Sequence, residues 1–337
     1  MKQYLNVVTA YAIMLTLIIL VGIFQSWSQA LSILNYCLIS AVMTMGANIQ
    51  WGYAGLINFG IMGYTALGGL AVVLVSVAPV PEAWKAGGLN MIGSLGIIAA
   101  IIGAAFGYPS LRLKGSYFAI VTLILNIVVR QIILVTPEFS GGSSGFRIEI
   151  LPPDPIPLPF TDSEITFTGK ATYYYLIWIL GLIAVGVCYW IDHSRFGATL
   201  RAIRQSDALA QSVGINIATY KLIAFVIACF FAGLAGSFYT HYLILAHPDA
   251  FTMWDSIFVV AYVVIGGIGT VLGPIIGTII LVGGFELLRE LSNYQTVGYA
   301  LILLLVTRFL PGGLISFGPM IRDQFEIISK WIRKFNS

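Results

Sequence analysis

Long apolar segments dominate this sequence and restrict it to a membrane fold. Hydrophobic residues make up 58% of the 337 residues and charged residues only 9%, whereas about a quarter of the residues in soluble domains are charged. A helix needs about 20 mostly apolar residues to cross a bilayer, because each residue rises about 1.5 Å. The sequence therefore predicts an all-α integral membrane protein with about ten transmembrane helices. The predicted spans are 8–25, 30–48, 58–77, 91–109, 116–135, 172–191, 221–242, 254–267, 270–287 and 296–310.

One stretch, residues 257–288, is compatible with one long helix or with two short ones. A single helix would be roughly 48 Å long, much longer than the hydrocarbon layer of about 30 Å. The glycine-rich run Gly-Gly-Ile-Gly at 266–269 and Pro274 favour a break, because both residue types weaken a helix interior. Two helices with a tight connection are therefore the preferred interpretation, and one kinked helix is the alternative.

Lysine and arginine are distributed unevenly between the apolar segments, which sets the orientation in the membrane. These residues are retained on the cytoplasmic side. The loop 192–220 carries three arginines, whereas the loop 136–171 contains two basic and five acidic residues. We therefore expect the first loop inside the cell and the second outside. Ten spans then place both termini in the cytoplasm, in agreement with Lys2 and the basic C-terminal residues.

The sequence divides into a transmembrane domain, 1–318, and a short cytoplasmic tail, 319–337. The tail carries apolar residues on one stripe at helical spacing, with basic residues beside it. We expect a short helix that lies in the membrane interface, and binding to a partner protein is the alternative. The stripe consists of Ile321, Phe325, Ile328, Ile332 and Phe335.

The patterns that would indicate ATP binding, metal binding or ion coupling are missing from this sequence. A Gly-Lys pair at 169–170 is followed by Ala171, which excludes a phosphate-binding loop. The three histidines show no metal-ligand spacing. Ionisable residues are nearly absent from the centres of the predicted spans, and such residues usually mark ion-coupled transport. We therefore expect no cofactor, no metal, no nucleic acid partner and no enzymatic activity, and an energy source outside this chain.

The cytoplasmic loop contains a short segment with helix signals at both ends. Ser206 is a good N-cap, Asp207 suits the positive first turn, and Gly214 can take the left-handed conformation that ends helices. Between them we expect a helix of about two turns that ends at residue 213, preceded by Arg201 and Arg204. Such a helix can dock in a groove of a partner, with the arginines and Asp207 available for charge-assisted hydrogen bonds. An ordinary amphipathic loop is the alternative.

Polar and small residues interrupt the apolar run between the second and third predicted spans. Polar groups at membrane depth are tolerated where they face protein or a water-filled path. Hydrogen bonding between helices explains these residues equally well, and both interpretations stay open. The candidate residues for a solute path are Asn48, Gln50, Asn58, Gly60 and Gly63.

Several motifs resemble those of one permease family. The cytoplasmic loop, continued by IATYKLIAF at 217–225 and FAGLAG at 231–236, looks like the coupling region of the branched-chain amino acid ABC permeases, specifically the LivM-type subunit. The run LRLKGSYFAIVT at 111–122 is similar to the most recognisable signature of this family. Further similar motifs follow the family order: AGLINFG at 54–60, SGGSSG at 140–145 (serine in place of the family's threonine), VIGGIGTVLG at 264–273 and RFLPGGL at 308–314.

This resemblance implies a bacterial importer built from several subunits. A second, LivH-like permease would complete the path, two cytoplasmic ABC ATPases would drive it, and an extracytoplasmic binding protein would deliver the solute. It also implies an inverted-repeat importer architecture in the inner membrane and branched-chain or related amino acids as solutes.

Other functions remain as alternatives to this interpretation. Related permeases carry urea, short amides or sugars, so these solutes stay open. An ion-coupled secondary carrier would require a buried acidic residue on a broken helix. A non-transporting membrane enzyme or scaffold would require a catalytic cluster, and the sequence offers neither feature.

Overall fold

The computed structural model describes most of the chain. The described residues are 27–76, 89–111, 116–137, 141–147, 156–157, 164–165, 170–243 and 245–287, with 297, 300, 304, 308, 313 and 314. The predicted first span, the predicted tail and most of the predicted span 296–310 lie outside these residues.

The described part is helical apart from two antiparallel pairings of two-residue strands. The α-helices are α1 Trp27–Asn48, α2 Ile61–Ser76, α3 Leu89–Ser110, α4 Ser116–Val135, α5 Lys170–His193, α6 Arg195–Gln205, α7 Asp207–Ser212, α8 Ile217–Leu243, α9 Met253–Gly266 and α10 Gly273–Leu287. A π-helical segment, Ile49–Tyr53, continues α1, and 3-10 turns occupy Gly142–Ser144 and Pro248–Ala250. Strand β1 Phe146–Arg147 pairs with β4 Leu245–Ala246, and β2 Ile156–Pro157 pairs with β3 Glu164–Ile165.

Several of these helices are long and apolar enough to cross a membrane. In the described residues there are five such spans, and three shorter apolar helices accompany them. The five are Ala30–Tyr53, Tyr117–Val135, Tyr175–His193, Ile217–Leu243 and Pro248–Gly266, and the shorter ones are Ile61–Val73, Gly96–Ser110 and Gly273–Phe285. The predicted all-α membrane fold is confirmed, while the total of ten spans stays a prediction.

Two helices, and not one, occupy the stretch that the sequence left open. Helix α9 ends at Gly266, where Gly267 has a φ of +126° and Gly269 a φ of +76°. Helix α10 begins at Gly273 and carries Pro274 in its first turn, where a proline costs no helical hydrogen bond. Helix α10 has 15 residues, too few for the full hydrocarbon layer of about 30 Å, whereas α9 belongs to the longer apolar segment Pro248–Gly266. The chain is therefore broken at 267–272, between two apolar helices.

Helix α8 is the centre of the helix packing and contacts α1, α2 and α3 extensively. Small residues permit this close approach, as is usual for helices in membranes. A β-carbon on Gly236 of α8 would lie 1.9 Å from the Thr65 carbonyl oxygen of α2, and one on Gly68 would lie 2.1 Å from the Gly233 carbonyl oxygen. The backbones of α2 and α8 are thus in direct contact along about one helical turn.

Helix α8 runs from one end of the described bundle to the other. Its 27 residues extend for about 40 Å, with α6 and α7 before its first residue and β4 after its last. At the β4 end, Arg130 of α4 forms an ion pair of 2.6 Å with Asp249, and β1 pairs with β4. The predicted inner loop and the predicted outer elements therefore lie at opposite ends of the bundle.

Candidate functional site

Helices α6 and α7 form a corner between α5 and α8, and serine side chains cap both of them. The Ser194 hydroxyl accepts a hydrogen bond of 3.1 Å from the Gly197 N–H at the start of α6, and Ser206 accepts one of 3.3 Å from the Leu209 N–H at the start of α7. The predicted N-cap at Ser206 is confirmed, and the predicted helix ends one residue earlier than expected. The basic stretch before it is a separate helix, α6, which the sequence analysis did not anticipate.

Gly214 ends this corner in the left-handed conformation that the sequence predicts, with a φ of +86°. Its N–H donates to the Gln211 carbonyl at 3.0 Å, and the Ile215 N–H donates to the Ala210 carbonyl at 3.1 Å. A β-carbon at this position would meet nothing within 4 Å. The glycine is therefore required by backbone conformation and not by space, and alanine would cost on the order of 1 kcal/mol.

The charged residues of the corner contact other parts of the same chain. Arg201 donates to the Asp192 carboxylate at 2.6 Å and to its carbonyl at 2.9 Å. Lys221 donates to the Asp207 carboxylate at 2.7 Å. Arg204 donates from Nη1 to the Gly52 carbonyl. The sequence analysis expected Arg201, Arg204 and Asp207 to bond to a partner, whereas here each has an internal acceptor or donor.

Two large apolar side chains remain exposed on α7 and at its end. Leu209 is 71% exposed and Val213 is 73% exposed, while Ala210 is buried against the corner. The sequence analysis did not name these two residues. Their spacing of four residues on a short helix of small and polar residues is the signal that could have found them. The exposed side of α7 therefore presents two large apolar side chains beside the polar Gln211 and Ser212.

Among the candidate path residues, Asn48 joins α1 to the break between α9 and α10. Its Nδ2 donates to the Thr270 carbonyl at 2.8 Å, and its Oδ1 accepts from the Gly269 N–H at 2.9 Å. The side chain is fully buried. The Asn48 amide thus uses its donor and its acceptor for hydrogen bonds between helices. This agrees with the interpretation that these polar residues join helices.

Gln50 and Asn58 form a second polar contact, at the start of α2. The Asn58 Nδ2 donates to Gln50 Oε1 at 3.2 Å, and Asn58 Oδ1 accepts from the Gly60 N–H at 2.7 Å. Gly60 and Gly63 bring this end of α2 against α4. A β-carbon on Gly60 would lie 2.1 Å from the Thr122 carbonyl oxygen, and one on Gly63 would lie 3.0 Å from Asn126 Cα.

Three further polar residues extend this contact, and the sequence analysis missed them. Thr122 Oγ1 accepts from the Phe59 N–H at 3.3 Å. Ser256 of α9 accepts from the Met62 N–H at 3.1 Å and from Asn126 Nδ2 at 3.3 Å. Side chains from α4 and α9 thus satisfy free N–H groups at the start of α2, which has no preceding helical turn to bond to them.

A cavity of about 1040 Å³ opens between the segment 54–59, the first turns of α4 and the corner. Its walls are mixed: Leu56, Phe118 and Leu123 are apolar, while the charged side chains of Arg204, Asp207 and Lys221 lie at the corner side. Ile57 and Phe59 line the cavity, whereas Asn58 between them is buried within the bundle with 5% exposure. The cavity is therefore adjacent to the predicted path residues without being lined by them.

The bundle of apolar helices has two breaks, the first between α1 and α2 (the π-helical segment Ile49–Tyr53 and residues 54–60) and the second between α9 and α10 (267–272). Such a bundle, with a capped polar corner, is the arrangement of a membrane permease. The chain belongs to the family described as branched-chain amino acid transport system / permease component, whose family model matches residues 29–310. It is a transport component and a multi-pass membrane protein. The predicted family and class, a permease subunit of an ATP-binding-cassette importer, are confirmed.

Three relatives indicate which permeases of this family the chain resembles. The chain is 28% identical to the high-affinity branched-chain amino acid transport system permease protein LivM of Salmonella typhimurium, over 89% of this chain and 72% of that protein. It is 29% identical to LivM of Escherichia coli, over 86% of this chain and 70% of that protein. A ribose import permease protein, RbsC of Haemophilus influenzae, is 27% identical over 86% of this chain and 89% of its own length. No solved structure matches the chain.

Proposed function

We propose that this chain is the LivM-like subunit of a bacterial inner-membrane importer for branched-chain or related amino acids. A second, LivH-like permease, two cytoplasmic ATPases and an extracytoplasmic binding protein complete the complex. The names of the relatives support the solute and the second permease. The two-domain division at residue 318 and the inverted-repeat arrangement of the helices belong to this proposal.

The observation that carries the coupling mechanism is the exposure of two large apolar side chains, Leu209 on α7 and Val213 at its end. The helix is fixed at both ends by Ser206 and Gly214, and its charges are paired inside the chain. Leu209 and Val213 are left to enter a groove on a separate ATPase, which is the usual manner in which a short helix is bound. Arg201, Asp207 and Lys221 then hold the corner in shape, while apolar contact supplies the affinity.

The solute path passes the polar contact at the start of α2 and leaves through the cavity beside it. In the described residues, Gln50 Nε2 and Asn126 Oδ1 are buried without a hydrogen-bond partner, and such atoms are uncommon in folded proteins. The apolar part of the cavity wall, Leu56, Phe118 and Leu123, suits an aliphatic side chain. Asn58 and Gln50 remain the proposed path residues.

A sugar is the second candidate solute, because ribose permeases are among the relatives. Competition for uptake distinguishes an amino acid from a sugar as the solute. In proteoliposomes that contain the complete complex, unlabelled isoleucine or valine is expected to reduce the uptake of labelled leucine, whereas ribose and urea leave it unchanged. Competition by ribose or urea, with no effect of the aliphatic amino acids, would contradict the proposed solute.

The orientation of the chain is tested by chemical labelling from one side. The native Cys37, Cys188 and Cys229 are buried and are first replaced by alanine. Ser144 and Ser212 are both exposed and lie at opposite ends of the bundle. We expect Ser144→Cys to react with an impermeant thiol reagent in intact cells, and Ser212→Cys only after permeabilisation. Reaction of both cysteines in intact cells would contradict a cytoplasmic corner.

A further inference from the structure

One side chain of the corner, that of Arg204, reaches the first break of the bundle. Its Nη1 donates to the Gly52 carbonyl in the π-helical segment that ends α1. A β-carbon on Gly55 would lie 3.3 Å from Arg204 Cγ, so the stem of the arginine runs along the segment that follows. Arg201, one turn earlier on α6, places its guanidinium 5.7 Å from the ring centroid of Tyr53. Helix α6 is thus attached to the first break by two arginines.

The same guanidinium also lies against the second break. A β-carbon on Gly269 would be 2.9 Å from Arg204 Nη1 and 2.9 Å from the Gly52 carbonyl oxygen. Asn48 binds the Gly269 N–H and the Thr270 carbonyl. We call Asn48, Gly52, Arg204 and Gly269 the break junction, since both breaks and the corner meet there.

The two breaks are the parts of the bundle where helices can change shape at low cost. π-helical segments are frequently found at functional sites, and residues at helix ends are the ones that absorb backbone changes in hinge motions. Gly269 has a left-handed φ of +76° in the second break. We expect a displacement of α6 to shift the first break through the hydrogen bond from Arg204 to Gly52. The second break follows through the packing of Arg204 against Gly269 and through the two hydrogen bonds of Asn48.

We propose that Arg204 is a positioning residue that transmits the movement of α6 and α7 to both breaks, and so to the solute path. This inference rests on the proposed docking of an ATPase at α7. It assigns Arg204 to a contact inside the permease and not to the ATPase interface. Arg204 is exposed toward the cavity, so its replacement removes the link without creating a void in the core.

The test compares Arg204→Gln with Arg195→Gln in the reconstituted complex. Arg195 lies on the same helix and is exposed, so both variants lose one positive charge. We expect Arg204→Gln to assemble with the ATPases and to hydrolyse ATP, while the solute imported per ATP falls about tenfold, within the usual range of coupling energies. This ratio does not depend on the amount of folded complex. Arg204→Lys keeps a hydrogen-bond donor and is expected to restore part of the solute imported per ATP. Arg195→Gln is expected to leave the solute imported per ATP normal.

Two results would overturn the inference. One is a normal ratio of import to hydrolysis in Arg204→Gln, and the other is an equal loss in Arg195→Gln. If Arg204→Gln fails to assemble, the result is taken from Arg204→Lys. A normal ratio of import to hydrolysis in Arg204→Lys would then show that Arg204 has only a structural role. A wild-type complex that hydrolyses ATP without import would instead overturn the proposed function.

Discussion

Replacement of Gly236 by alanine is expected to prevent the bundle from folding. The new β-carbon would lie 1.9 Å from the Thr65 carbonyl oxygen and 2.7 Å from its carbonyl carbon. These are backbone atoms of the adjacent helix, so no side-chain rotation can relieve the overlap, and α2 and α8 must separate. Overpacking typically costs about 1–3 kcal/mol, and more where the structure cannot adjust. We expect a loss of at least about 3 kcal/mol, measured as a fall in monodisperse protein after detergent extraction.

Two other glycines in membrane helices provide matched controls. A β-carbon on Gly186 of α5 or on Gly284 of α10 would meet nothing within 4 Å. Alanine at either position is expected to leave the yield unchanged or to stabilise the helix by about 0.5–1 kcal/mol, because glycine loses more backbone entropy on folding. Equal yields of Gly236→Ala and the two controls would contradict the direct contact of α2 and α8.

Replacement of Leu209 by aspartate is expected to abolish the stimulation of ATP hydrolysis by solute. A charge in the centre of an apolar contact leaves an unpaired group in a desolvated groove. Losing a central apolar side chain of an interface typically costs about 2 kcal/mol or more, a factor of about 30 in affinity. Leu209 is 71% exposed in the permease, so the fold itself should be unaffected. The measurement is solute-stimulated hydrolysis in the reconstituted complex, together with the melting temperature of the permease.

Ala208→Asp supplies the control for this variant. Ala208 is exposed and directly precedes Leu209 in the first turn of α7, where an acidic residue is favourable. The variant adds the same charge without removing an apolar side chain. We expect it to retain most of the stimulated hydrolysis. Normal stimulation in Leu209→Asp would show that α7 is not the docking helix, and the tail 319–337 would become the better candidate.

Local features of the fold could be predicted because their causes lie within a few residues of sequence. The spans follow from apolar runs that match the bilayer thickness. The cap at Ser206 and the left-handed Gly214 act on residues within one helical turn. The break between α9 and α10 follows from a glycine cluster and Pro274, which weaken any helix. Each of these features is independent of distant parts of the chain.

The contacts of the site could not be predicted in the same way, because their partners are distant in sequence. Arg204 and Gly52 are 152 residues apart, and Asn48 and Gly269 are 221 residues apart. The sequence shows that Arg204 is a basic residue in a loop that is predicted to be cytoplasmic, and charge alone suggests an external partner. Only the packing of α6 against the end of α1 shows that its acceptor is internal.

The polar residues that complete the start of α2 illustrate the same limit. Asn126 and Ser256 lie in mostly apolar helices, and in isolation each is compatible with ordinary membrane packing. Asn58 stood out because it lies in a run with Asn48, Gln50, Gly60 and Gly63. The packing of α4 and α9 against α2 brings these residues together at the start of α2.

The central claim is that this permease moves solute with energy from ATP hydrolysed by other subunits. Uptake into proteoliposomes tests it directly, with the complete complex, the permease subunits alone, and ionophores that collapse the proton and sodium gradients. The account predicts uptake only with the complete complex and ATP, at an unchanged rate when both gradients are collapsed. Uptake by the permease subunits alone, driven by an ion gradient and independent of ATP, would contradict it.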